Sequence, residues 1–187
     1  EGTARRGRPV GIYVETKHPS YFDGIGLNLN DLVIDALERH QLNRLEAPVI
    51  IQSFESSNLR DFRGRTELPL VRLVMPRKKE DLDDLDDVAT FADIIGPHKD
   101  LVIPRDPDGR LAEPTTLVDR AHDAGLGVHI WTMRDEPSFL PTGMSPHEEY
   151  AAYFAAGIDG LFSDWTTTAV EARAAWLAAG EHPMPAE

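Results

Sequence analysis

Apolar positions in this chain fall into short continuous or alternating runs, each followed by a stretch with apolar residues at helical spacing. The first run, Val10-Gly11-Ile12-Tyr13-Val14, is rich in β-branched and aromatic residues and predicts a strand that Pro19 forbids from continuing regularly. Ser20 to Asn30 reads as a loop, with Asn30 the N-cap of a helix from Asp31 to His40 that turns Leu32, Val33, Ala36 and Leu37 to one side. Pro48 to Phe54 is the second strand, apolar enough to be covered on both faces, and Ser56 or Ser57 caps a short helix to Phe62. Leu68 to Val74 is the third strand. A helix from Lys78 to Ala92 comes next, with Leu82, Leu85, Val88 and Ala89 inward.

Asp93 to Pro97 is a short fourth strand, in which Asp93, Gly96 and Pro97 shape the turns, and Pro104 to Glu113 is a turn-rich loop. Thr115 or Thr116 caps a helix to Ala124 that Gly125 ends. Gly127 to Met133 is the fifth strand, Pro146 to Ala156 a helix, and Ile158 to Asp164 the sixth strand, with Asp164 as cap of the last helix. Thr166 or Thr167 opens that helix, which runs to Ala179 before a proline-containing tail. Strand-helix alternation of this kind gives a parallel sheet with helices outside. No GxGxxG comes after any strand, which weighs against a doubly wound dinucleotide fold. Polar residues gather at the strand ends instead: Glu15 and Lys17, Gln52 and Phe54, Arg72, His129 and Trp131, Asp164. That is the functional face of a (β/α)8 barrel.

Side chains alternate across a strand, so Tyr13, Glu15 and Lys17 share one face. A carboxylate there is a hard oxygen ligand for Ca²⁺ or Mg²⁺, and an ammonium two residues on can hold a phosphate as a point charge. The plainer alternative is a salt bridge closing a strand. Net charge of −13 argues against general nucleic-acid binding, though a local cation can still serve a small anionic substrate. Absence of cysteine removes disulfides, thiol nucleophiles and cysteine–zinc sites. No apolar run reaches the length of a membrane span and no signal peptide is read at Glu1; a first residue other than Met, with Gly2 to Arg8 after it, suggests a chain that begins mid-protein or after processing. The acids between Glu80 and Asp87 lack the glycine and closing glutamate of a calcium loop and read as a solvated helix face.

Taken together, GIYVETKHP, VIIQSF, LPLVRLV, ADIIGP, GLGVHIWTMRDE and GIDGLFSDWTTTAV resemble the glycerophosphodiester phosphodiesterase family, in its periplasmic-type bacterial branch. The resemblance runs from Val10 to Val170. It implies a TIM barrel that hydrolyses glycerophosphodiesters to an alcohol and glycerol 3-phosphate with Ca²⁺ or Mg²⁺. It implies Glu15 as a metal-ligating carboxylate, Lys17 as the lysine facing the phosphate, Gln52 and Phe54 as site-facing residues of the second strand, and Trp131 as an aromatic bordering the substrate pocket. His129 shares the Trp131 face and reads equally as pocket wall or as hydrogen-bonded core.

The family's His-Arg-Gly motif, its Glu-x-Asp metal pair and its His-Asp motif have no match here, so its two catalytic histidines are not among His18, His40, His98, His122, His129, His147 and His182. Residues 1–187 therefore read as about the last six βα units of one barrel domain, completed by a missing N-terminal segment or by another chain. The resemblance favours a secreted or periplasmic place and leaves a cytoplasmic one open. Two rival functions remain: a phospholipase D-like phosphodiesterase of the same fold, and a non-catalytic fragment or partner-binding module. Gln52 could instead satisfy a buried polar network, Arg72 has no assigned role, and Arg134, Asp135 and Glu136 read as a surface loop cluster.

Overall fold

Ile12–Thr16 forms β1, the expected first strand, and the computed structural model describes the chain from there in both directions over residues 10–180. Residues 1–9, and the proline-containing tail with His182 over residues 181–187, lie outside the described residues. The described residues group into two compact units, one running up to Leu73 and including Asp84–Ile95, the other of Val74–Asp83 and the residues from Gly96 onward.

In the first unit β1 pairs in parallel with β2 (Val49–Ser53), Glu15 opposite Gln52. β2 pairs in parallel with β3 (Leu70–Val74), Ser53 opposite Arg72, and β4 (Ile94–Pro97) is next in the strand order. β3 is buried at every position, as a strand covered on both faces should be. Ile51, Leu59, Phe62, Leu68, Leu70 and Val71 make the core, where α3 (Ser56–Arg63) packs on β2.

Several caps differ from expectation. The stretch from Ser20 contains a helix, α1 (Pro19–Gly24), because Pro19 occupies a first-turn position where its missing N–H costs nothing. The next helix is α2 (Leu29–Arg39), and its cap is Asn28, which accepts the Asp31 N–H at 2.8 Å. Asn30 is buried, donating to Asn58 O at 3.1 Å and to Asp61 at 2.6 Å. Ile34 and Leu37 are the buried apolar residues of α2, while Leu32 is exposed. Ser56 does not cap α3 because its hydroxyl accepts from Arg72 Nε at 2.9 Å.

The expected helix over 78–92 is two pieces, a 3-10 segment Pro76–Leu82 and α4 (Leu85–Ala89). The break falls at Asp84, whose carboxylate accepts the Asp87 N–H at 2.9 Å. Aspartate competes with the backbone for such bonds and prefers caps to helix interiors. Asp86 and Asp87 then lie in the first turn of α4, where the helix dipole favours negative charge. Leu82, Leu85 and Val88 are buried as expected; Ala89 is exposed.

In the second unit, Gly96 and Pro97 of β4 lead into a 3-10 turn, Lys99–Leu101. The strand order continues β4, β5 (Gly127–Met133), β6 (Gly160–Ser163). β5 and β6 are parallel, with His129 opposite Gly160 and a register shift between Ile130 and Met133. Val128, Ile130 and Met133 point into a core completed by Val118 and Ala121 of α5 (Leu117–Asp123) and Tyr150 and Tyr153 of α6 (Pro146–Ala155). Thr115 does the capping work before α5, accepting the Leu117 N–H at 3.3 Å. A Ser145–Glu148 capping box opens α6. In α7 (Thr166–Ala179) the N-cap is Trp165, and Asp164 is turned instead to Arg134, 3.4 Å away. No helix among the described residues is long and apolar enough to cross a membrane.

Candidate functional site

Strand alternation puts Glu15 and Lys17 side by side at the exit of β1, with Glu15 Oε2 3.8 Å from the Lys17 ammonium. The pair is loose and the lysine is 73% exposed, so their attraction is screened and worth little to stability. The other carboxylate oxygen is in a different situation. Glu15 Oε1 is buried and has no hydrogen-bond partner, and the same is true of Gln52 Oε1 on the neighbouring strand. Since Glu15 and Gln52 are cross-strand partners, two unsatisfied acceptor oxygens occupy adjacent positions at the ends of β1 and β2. Buried oxygens without donors are rare because each forfeits its hydration. Two such acceptors suit a cation or water, and hard oxygen donors of this kind suit Ca²⁺ or Mg²⁺. Tyr13, on the same face of β1, is held neutral because burial pushes its phenol up.

Gln52 is thus not part of a satisfied polar network. Its β2 neighbour Ser53 is, donating to Thr16 O at 3.3 Å and accepting the Glu55 N–H at 3.2 Å. Phe54 is half-buried just beyond β2, and its carbonyl accepts from Arg72 at 2.6 Å. Arg72 is buried and also donates to Ser56 and to Leu73 O, so it ties the β2–α3 turn to β3.

In the second unit His129 and Trp131 project from the same side of β5, both half-buried, opposite the buried Val128 and Ile130. The His129 ring lies against Gly160, where a Cβ would meet it at 2.6 Å, so any larger residue would have to displace the ring. Burial lowers the His129 pKa against the pull of Asp159. Trp131 donates its indole N–H to Gly96 O at 2.7 Å, and its ring meets His98 edge-on at 5.0 Å. The Trp131–Thr132 peptide is cis. His98 Nδ1 accepts the Asp100 N–H at 3.2 Å, and burial lowers the pKa of this ring too.

One charged cluster escaped sequence reasoning. Lys99 and Glu149 form a buried ion pair at 2.6 Å, with Arg105 3.6 Å from the same carboxylate oxygen. Burial raises the Glu149 pKa, opposed by its bond to Lys99. A signal existed: Glu149 precedes Tyr150 and lies one turn before Tyr153, an acid on the apolar side of its helix. The expected loop cluster is real. Arg134 binds Glu136 at 2.7 Å and holds its carboxyl down at about 2, while the Trp165 indole donates to Glu136 at 3.2 Å.

The structure therefore joins Glu15, Lys17 and Gln52 in one group and puts His129 and Trp131 on one side of β5, while Phe54 is placed only by its carbonyl's bond to Arg72. Among the described residues no three His, Asp or Glu side chains converge as a metal site.

Residues 5–168 match the model of the glycerophosphoryl diester phosphodiesterase family. A glycerophosphodiester phosphodiesterase of Arabidopsis thaliana is 31% identical over 186 residues, covering 85% of this chain and 50% of that protein. A Silicibacter pomeroyi structure, provisionally designated a glycerophosphoryl diester phosphodiesterase, superposes with a TM-score of 0.67 at 18% identity, over 95% of this chain and 54% of that one. A glycerophosphodiester phosphodiesterase structure from Parabacteroides distasonis gives 0.59 at 12% identity, over 96% and 62%. The expected architecture, six βα units of the (β/α)8 kind, is borne out, and the chain spans about half the length of these relatives.

Proposed function

The chain belongs to the glycerophosphoryl diester phosphodiesterase family, a family of hydrolases, and from that membership we propose that residues 1–187 form the C-terminal part of a single barrel domain whose completed form hydrolyses glycerophosphodiesters to an alcohol and glycerol 3-phosphate. The observation that carries the site is the pair of buried, partnerless oxygens, Glu15 Oε1 and Gln52 Oε1, on adjacent strands. Glu15 would supply one of the carboxylates that hold Ca²⁺ or Mg²⁺, with the Gln52 oxygen beside it, the remaining ligands coming from the complementing segment. Bound there, the cation supplies charge neutralisation at the phosphate oxygens.

The chain's own residues divide the remaining work. Lys17, exposed and only loosely paired, can turn its ammonium to the phosphate and add positive charge where negative charge develops. Its present partner is Glu15 Oε2, so a cation held by the same carboxylate would compete with that pairing. Phe54, Trp131 and His129 would border the substrate. Gly96 and His98 hold the Trp131 ring in one orientation, and such fixing favours a defined substrate pose. Burial keeps His129 neutral near pH 7, suited to hydrogen bonding rather than to carrying charge.

The test is glycerol 3-phosphate release from glycerophosphocholine by this chain combined with the unmatched part of the Arabidopsis relative. Glu15→Gln keeps the size and a carbonyl oxygen but removes the charge. It should lower turnover by at least about 10–100-fold, the loss seen when even a supporting group of a metal site is removed, with partial recovery at high Ca²⁺ or Mg²⁺. Unchanged turnover would return Glu15 to a structural ion pair.

A further inference from the structure

The buried ion pair of the second unit is an expensive way to hold a fold together. Glu149 is 1% exposed; its Oε1 accepts from Lys99 Nζ at 2.6 Å, while its Oε2 is buried with no hydrogen-bond partner. An unsatisfied buried carboxylate oxygen costs stability, and two apolar side chains of similar volume often hold the same elements as well. An ion pair gives something that apolar burial does not, which is direction. It fixes one donor on one acceptor, whereas apolar contact lets the surfaces slide.

Glu149 stands on a firm base. Its neighbours on α6, Tyr150 and Tyr153, are fully buried, and their hydroxyls bond to Ser163 Oγ at 2.6 Å and to Ile103 O at 3.4 Å. What it grips is the turn that leaves β4. Lys99 opens the 3-10 turn Lys99–Leu101, and His98, immediately before it, bridges in parallel to Trp131 of β5. The His98 ring meets the Trp131 ring edge-on at 5.0 Å, and Gly96 O accepts the indole N–H at 2.7 Å. The backbone that Lys99 anchors therefore carries both of these supports of the indole. The same carboxylate oxygen lies 3.6 Å from Arg105, which donates to Phe139 O at 2.5 Å and to Leu140 O at 3.3 Å in the loop after β5.

We infer, on the reading that Trp131 borders the substrate, that Glu149 is a positioning residue. Through Lys99 it sets the turn that leaves β4, and through that turn it sets the orientation of the Trp131 indole.

The test separates placement from stability. In Lys99→Met with Glu149→Leu both charges go together, so the chain should stay folded, with a urea midpoint close to wild type. Its Trp131 indole N–H, assigned in the ¹⁵N spectrum by its loss in Trp131→Phe, should shift and lose protection from solvent exchange, because the turn carrying Gly96 and His98 is no longer held in one place. Val118→Ala opens a cavity in the core of the same unit, so it should lower the midpoint and leave the indole signal where it is. With the unmatched part of the Arabidopsis relative added, the double variant should lose at least about tenfold in kcat/KM for glycerophosphocholine, toward the ~10²-fold that a 1 Å misplacement costs. An indole signal unchanged in the double variant, or one changed equally by Val118→Ala, overturns the inference. A double variant that does not fold overturns it too, since the pair would then be a prop of the fold. So does a changed signal with kcat/KM at the wild-type value. If the wild-type assembly itself releases no glycerol 3-phosphate, the proposed function fails, and the indole signal alone decides whether Glu149 places Trp131.

Discussion

The 187-residue chain by itself should release no measurable glycerol 3-phosphate from glycerophosphocholine at any Ca²⁺ or Mg²⁺ concentration. Each missing general acid or base costs about 10²–10⁴-fold, and the motifs that carry the family's two histidines have no match in this sequence. The structure sharpens this. The two histidines near Trp131 are His98, packed against its ring, and His129, on the same side of β5, and both have other occupations. His98 Nδ1 accepts a backbone N–H, and the His129 ring is pressed on Gly160. Robust metal-dependent turnover by the purified chain would move the acid–base chemistry onto one of these two, and substitution of each by Gln would say which. It would also dispose of the non-catalytic reading. The assay is an enzymatic determination of glycerol 3-phosphate.

Glu149→Ala should destabilise the second unit by about 3–5 kcal/mol, because it leaves the Lys99 ammonium buried without its counter-charge. Lys99 and Glu149 are 6% and 1% exposed, so water cannot replace the lost partner. A loss of that size is a large fraction of the roughly 5–15 kcal/mol that holds an ordinary domain folded. Replacing both, Lys99→Met with Glu149→Leu, should cost far less, since two apolar side chains of similar volume need no counter-charge. Urea melts of the single and double variants decide this. A single variant within about 1 kcal/mol of wild type would show the pair to be solvated, as exposed pairs are.

The strands were legible because their signal is local. A period-two or continuous apolar run ended by Pro19 or Pro97 needs no knowledge of the rest of the chain. The helix over 78–92 failed for the opposite reason. Apolar spacing across Leu82, Leu85 and Val88 persists through the break, and only the preference of Asp84 for a capping position divides it. Asn28 and Asn30 are equally good caps in sequence; Asn30 is withdrawn by a partner, Asn58, that is 28 residues away. Ser56 is withdrawn by Arg72 in the same manner.

The site divides along the same line. Adjacency of Glu15 and Lys17 comes from alternation within one strand. Their alignment with Gln52 depends on the register of two strands joined by a long connection, and the partnerless state of both oxygens depends on everything packed around them. The Lys99–Glu149 pair joins residues 50 positions apart, beyond any periodicity. The resemblance to a family implies Glu15 as a ligand. The structure adds an oxygen with no donor at that position.

That claim can be measured on the chain as it stands. Mn²⁺ takes the same oxygen ligands as Ca²⁺ and Mg²⁺ and broadens NMR signals near it. Titrated into the ¹⁵N-labelled chain, it should broaden the amides of Glu15, Thr16, Gln52 and Ser53 at millimolar concentration, weakly because only part of the ligand set is present. Glu15→Gln should abolish that broadening while leaving whatever occurs at the acidic stretch around Glu80 to Asp87. Wild-type spectra with no broadening at the ends of β1 and β2, or broadening there that survives Glu15→Gln, would contradict the account and leave the carboxylate as the structural partner of Lys17.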